Sequence, residues 1–140
     1  MRLFAIFGVV ALAAALAADL PLVQPKELAA QIQSKGPKPV LLHVGFNVLY
    51  RNKHIPNSIY VGPGATPALR NAVSKLPRNA DIVIYCGCCP WDHCPNIKPA
   101  MEMLKQMGFT NARALYTPTN LAKDWFDLGY PSEAGEAANK

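Results

Sequence analysis

Two short apolar runs, Val40-Leu41-Leu42-His43-Val44 and Ile82-Val83-Ile84-Tyr85, constrain this chain more than anything else in it. Neither alternates polar with apolar residues, so each is expected to be a strand covered on both faces. The second runs from Asp81 and leads straight into Cys86. Segments of helical period surround the runs. Pro25 opens a helix over Lys26 to Ser34, with Leu28, Ala29 and Ile32 on one face, and Gly36-Pro37 stops it. Pro67 to Leu76 carries Leu69, Ala72, Val73 and Leu76 at burial spacing. Pro99 to Met107 turns Met101, Leu104 and Met103 or Met107 inward and ends at Gly108. Asn120 to Asp127 forms another helix, with Leu121, Trp125 and Leu128 as its apolar residues. Shorter strands are expected at Ile59 to Val61 and Thr110 to Tyr116, and a turn at His54 to Ser58. Gly45 to Lys53 is a connection with room for one helical turn, and Asp19 to Gln24 a short lead-in. Strands alternating with helices predict an α/β fold, a central, mostly parallel sheet flanked by helices. Such sheets bind ligands beyond the carboxyl ends of their strands, which points at Cys86.

Not all 140 residues belong to that domain. Met1-Arg2, the apolar stretch Leu3 to Leu16 and Ala15-Leu16-Ala17 have the layout of a secretory signal, with cleavage expected near Ala17. The stretch is shorter than the ~20 apolar residues of a membrane span, so no stable span is expected after cleavage. The expected organisation is a signal peptide over 1–17, one domain over 18–131 and a flexible tail over 132–140, in a periplasmic or secreted protein. The net charge of +5 comes from scattered lysines and arginines with no basic run, so nucleic-acid binding has no footprint here.

All four cysteines fall within Cys86-Gly87-Cys88-Cys89-Pro90-Trp91-Asp92-His93-Cys94. Cysteines scattered along an exported chain read as a disulfide framework; clustered ones read as local chemistry. The cluster lies between a buried strand and a helix start. Backbone N–H groups and the helix dipole there favour an anion, and the thiolate is the reactive form of cysteine. Cys86 is therefore the candidate nucleophile, with Gly87, Cys88, Cys89, Trp91, Asp92, His93 and Cys94 as the surrounding site loop.

The chain resembles the single-domain rhodanese family of sulfurtransferases in several ordered places. Val40 to Val44 stands at the family's first core strand. His54-Ile55-Pro56-Asn57-Ser58-Ile59 is close to its H-I-P-G-A turn, and Ile82 to Cys86 resembles the strand leading to its catalytic cysteine. Ala100 to Leu104 through Gly108-Phe109 resembles the following helix, and Trp125 with Gly129-Tyr130-Pro131 the C-terminal W…GYP. The resemblance implies a rhodanese-like α/β fold and a two-step covalent reaction. Cys86 would take sulfane sulfur from a small donor, thiosulfate or a persulfide, and pass it to a thiol acceptor. No cofactor is implied.

Three departures are visible. The loop after Cys86 is about five residues longer than usual, and Pro90, Pro95 and Pro99 lack N–H donors. The arginine that often ends the loop is missing, with Asn96 or Lys98 nearest. The family's D-x-R after its first strand reads His43-Val44-Gly45. Other readings of the loop stay open. Cys88, Cys89 and Cys94 pair as disulfides, resolve a persulfide on Cys86, or join Cys86 as ligands of a soft metal ion, with Asp92 and His93 nearby. The spacing C-x-C-C-x4-C departs from standard zinc patterns, so no metal is the first expectation. Cys86 and Cys89 also form a C-x-x-C, the basis of a thiol–disulfide redox reading. Trp91 either caps the site or anchors the loop. His93 is expected to be an exposed loop histidine, His43 a hydrogen-bonded structural one, His54 part of its turn and Trp125 part of the core.

Overall fold

Ile82–Tyr85 (β4) is buried at every position and lies in the middle of a five-stranded sheet. The computed structural model describes residues 20–135. The expected signal segment 1–17 and residues 136–140 of the expected tail lie outside them. Val40–His43 (β2) pairs with β4 in parallel register, from Val40 opposite Ile82 to His43 opposite Tyr85. Ile59–Tyr60 (β3) extends the sheet beyond β2, and Ala112–Leu115 (β5) lies on the other side of β4. Leu22–Val23 (β1) closes that edge, in the order β1-β5-β4-β2-β3, with every pair parallel.

Side chains alternate across β4 and define two cores. Ile82, Ile84 and Cys86 face Pro67–Val73 (α3) and Ile97–Gln106 (α4), packing with Leu69, Val73, Ile97, Ala100 and Leu104. Val83 and Tyr85 face Pro25–Gln33 (α1) and one π-helical turn, Ala122–Phe126, where Leu28, Leu115, Leu121 and Trp125 are buried. Trp125 is fully covered, and its indole N–H donates to the Pro131 carbonyl at 2.8 Å. Among the described residues no helix is long and apolar enough to cross a membrane.

The differences from expectation have local causes. The two residues of β1 are too few to show a period, and the lead-in carried no strand signal. α4 begins at Ile97 rather than Pro99; a proline in the first helical turn removes an N–H that has no intrahelical partner anyway. The connection after β2 does hold a short helix, Asn47–Asn52 (α2). Asn57 takes a left-handed φ of 62° at the position where the family's turn has glycine. Asparagine is among the few residues that occupy that region readily.

The topology positions the site. β2 runs on through α2 to β3 at one edge, whereas β4 runs on through α4 to β5 on the other side. The loops after β2 and β4 therefore leave neighbouring strands in opposite directions, the arrangement that opens a crevice at a switch point. Gly45 and Cys86 are the residues that meet there.

Candidate active site

Cys86 continues the inward-facing set of β4, so its side chain starts in the α3/α4 core and is only 1% exposed. A Cβ on Gly45 would lie 2.8 Å from the Cys86 Sγ and 3.0 Å from the His43 Cε1. Only glycine lets the β2 loop pass this close to the sulfur. On the other side, a Cβ on Gly87 would make only ordinary contacts, with Leu49 at 3.4 Å and the His43 Nε2 at 3.8 Å.

The loop brings three thiols together. The Sγ atoms of Cys86, Cys88 and Cys94 all lie within 4.8 Å of one another, with Cys86 and Cys88 separated by 3.4 Å. Cys88 in turn reaches the Cys89 Sγ at 2.7 Å, and all four cysteines are free. Cys94 is buried, Cys89 half-buried and Cys88 exposed. Asn96, directly before α4, makes no capping bond with its side chain; its amide Nδ2 donates to the Cys86 Sγ at 3.6 Å. An Asn N-cap bond, accepted by the side-chain oxygen, is worth about 1 kcal/mol and is not made here, while the amide nitrogen is committed to the sulfur. Sequence reasoning placed Asn96 near the missing arginine but not in the site. Its signal was an asparagine at the N-cap of the helix that follows the cysteines.

The electrostatics of the sulfur differ from expectation. The hydrogen bond from the Cys86 thiol to Cys94, and then burial, push the Cys86 thiol well above the ordinary cysteine range. The Cys88 N–H and the Asn96 amide pull the other way without reversing this. Burial also raises Cys88 and, with the Cys88 hydrogen bond, carries Cys89 up to about 11. Cys86, Cys88 and Cys89 therefore rest as thiols, and their titrations are coupled through the contacts between them.

The rest of the predicted loop divides clearly. Trp91 anchors: its backbone N–H donates to the Thr117 carbonyl at 3.0 Å and its ring leans on Tyr116 beyond β5. Asp92 and His93 face solvent, 3.7 Å from each other, and take no part in the thiol cluster.

His43 is fully buried beneath the site, with edge-on ring contacts to Tyr50 and Tyr85 and a tilted one to Tyr60. The Gly45 N–H donates to its Nδ1 at 3.2 Å, which places the ring proton on Nε2, an atom without a hydrogen-bond partner among the described residues. Burial first, and His54 second, lower its pKa to about 4, so the ring is neutral. His54 is likewise buried; its Nδ1 donates to the Tyr50 carbonyl at 2.7 Å and its Nε2 faces Glu133 at 3.0 Å. Glu133 also accepts from the Asn57 N–H, tying the chain after Pro131 to this turn.

A family model for the rhodanese-like domain matches residues 24–117, so the chain belongs to the rhodanese-like family. Solved structures agree on the fold. The chain is similar to the Alr3790 protein from Anabaena sp. at 22% identity and a TM-score of 0.66, over 83% of this chain and 95% of that one. It is similar to a thiosulfate sulfurtransferase from Pseudomonas aeruginosa at 22% identity and a TM-score of 0.64, over 84% of this chain and 21% of that one. A single-domain sulfurtransferase from Saccharomyces cerevisiae aligns at 14% identity and a TM-score of 0.56, over 81% and 94% of the two chains. No curated protein matches in sequence.

Proposed function

We propose that this chain is an exported sulfurtransferase that carries sulfane sulfur as a persulfide on Cys86. The carrying observation is the place of the Cys86 Sγ: buried at the carboxyl end of β4, with Asn96 Nδ2 as a donor and the Cys88 and Cys94 sulfurs within 4.8 Å. Family membership and the thiosulfate sulfurtransferase among the fold neighbours support the reaction class. Cys86 attacks the donor as its thiolate, its proton released to water, with the Asn96 amide and the Cys88 N–H as donors to the charged sulfur. The outer sulfur of thiosulfate bonds to Sγ and sulfite leaves. A thiol acceptor then takes the sulfane sulfur.

The test is thiocyanate formation from thiosulfate and cyanide, with the intact mass of the loaded protein. The expected result is thiocyanate and, with Cys88 replaced by serine, a protein one sulfur atom heavier, both lost when Cys86 is also replaced by serine. Thiocyanate at the wild-type rate from Cys86→Ser ends the reading. Export rests on Met1 to Ala17; protein recovered from outside the cytoplasm is expected to begin near Ala18.

One observation favours a second reading. Three sulfur atoms within 4.8 Å form an all-thiol donor set suited to a soft ion such as Cu(I), with Cys86, Cys88 and Cys94 as ligands. Copper, zinc and iron analysis of anaerobically purified, reduced protein decides it; protein free of all three that fails to take up Cu(I) excludes it.

A further inference from the structure

We propose that Cys88 resolves the Cys86 persulfide within the same chain, so that the sulfane sulfur leaves as hydrosulfide and a Cys86–Cys88 disulfide remains. This rests on the Cys86 persulfide of the preceding section and adds the fate of its sulfur.

The geometry favours an internal thiol over an external one. Cys86 is 1% exposed, with the β2 loop drawn against its sulfur at Gly45 and the Asn96 amide on it. A thiol from solvent must enter that space, whereas the Cys88 Sγ is already 3.4 Å from the Cys86 Sγ. Groups held in contact react with effective concentrations far above those of dissolved thiols. Cys94 is also near, but it is only 5% exposed, out of reach of an external reductant. Cys88 is the exposed member of the cluster. Once the disulfide has formed, an external dithiol can attack the Cys88 sulfur and expel Cys86. That leaving sulfur still has the Asn96 amide and the Cys88 N–H as donors. One cysteine thus meets the persulfide on the inside and the reductant on the outside.

The step balances. Loading forms a bond between the Cys86 Sγ and the outer sulfur of thiosulfate, breaks the sulfur–sulfur bond of thiosulfate and releases sulfite. In resolution the Cys88 sulfur attacks the Cys86 Sγ, the Cys86 sulfur–sulfur bond breaks, and the Cys88 thiol proton goes to the departing sulfide. The two cysteines lose two electrons and the sulfane sulfur gains them. The sum is thiosulfate plus two thiols giving sulfite, hydrosulfide and one disulfide, and a dithiol reductant is required for the next turnover. Simple transfer to an acceptor thiol would instead leave the sulfur at the sulfane level.

The test uses the full chain, reduced, freed of small thiols and mixed anaerobically with thiosulfate. Sulfite, sulfide, intact mass and disulfide position are read together. The expected wild-type result is about one sulfide per chain, a mass two hydrogens lower and a mapped Cys86–Cys88 bond. Cys88→Ser should retain one extra sulfur on Cys86 for each sulfite it releases and yield at least about ten-fold less sulfide per sulfite. Wild-type protein that releases sulfite and keeps the extra sulfur without sulfide overturns this inference and leaves the persulfide reading intact. Sulfide with a Cys86–Cys94 or Cys88–Cys89 bond overturns the assignment to Cys88. Neither sulfite nor adduct from either protein overturns the persulfide reading and this inference with it.

Discussion

Acid should loosen this protein through one buried ring. His43 is fully buried among Tyr50, Tyr60 and Tyr85 under the thiol loop, and its pKa falls from 6.5 to about 4 on folding. The folded value is depressed, so between those two values the unfolded chain binds a proton that the folded chain refuses. Stability from this source is complete above pH 6.5 and is lost as the pH falls toward 4. One pKa unit corresponds to about 1.4 kcal/mol, so the whole shift corresponds to about 3 kcal/mol. At pH 5 the two titration curves place the loss near 2 kcal/mol, roughly. Urea unfolding of the wild type at pH 7 and pH 5 measures it, with His43→Asn as the reference. Asparagine keeps an acceptor for the Gly45 N–H, which His43 Nδ1 now provides, and removes the titration. The mutant is expected to be less stable at pH 7 but to lose about 2 kcal/mol less on acidification than the wild type. Equal losses in the two proteins would refute the argument, because other groups would then account for the acid response.

Three further outcomes follow from the same geometry. Gly45→Ala places a Cβ 2.8 Å from the Cys86 Sγ; overpacking of this kind costs about 1–3 kcal/mol, and thiocyanate formation should fall with it. An unchanged urea midpoint together with unchanged activity would show that the β2 loop yields freely. Cys94→Ala removes the largest cause raising the Cys86 thiol, so alkylation of Cys86, followed by peptide mass, should move to lower pH. Asn96→Ala removes a donor to the same sulfur and should move it to higher pH; shifts of the same sign in both variants would contradict the assigned hydrogen bonds. Asn57→Val forces a β-branched residue to φ 62° and should cost about 1–2 kcal/mol, whereas Asn57→Gly should be tolerated. Equal unfolding midpoints for the two would remove the left-handed turn from the account.

The sheet was legible because β2 and β4 are covered on both faces and so appear as unbroken apolar runs. Cys86 was legible as the residue on which the stronger run ends. β1 was not, since two residues carry no period, and the start of α4 was hidden because Pro99 looks like a first residue when it is the third. The partners of the sulfur were harder still. Gly45 reads as loop in the sequence, and its necessity exists only because β2 and β4 are neighbours whose following loops diverge. Asn96 reads as a helix cap; that its amide turns to the sulfur depends on how Pro95 and the long loop return to α4. The thiol contacts likewise depend on loop folding, because Cys88 and Cys94 are six positions apart and meet only around Cys86.

The lengthened loop also changes what controls the sulfur. An arginine at its end would provide a charge that no physiological pH removes. Here Pro90, Pro95 and Pro99 have no N–H to offer, and the contacts on the Cys86 Sγ are an amide, one N–H and two thiols. None of these is a fixed cation, so the charge of the site is set by how many thiol protons the cluster holds. Those protons are lost when the thiols pair: a disulfide at Cys88 or Cys94 removes a contact of Cys86 and changes the energy of its thiolate. Reactivity at Cys86 is therefore tied to the oxidation state of its neighbours in a way that an arginine-based site would not be. The protein should respond to thiol reductants even in the half-reaction that loads sulfur onto Cys86.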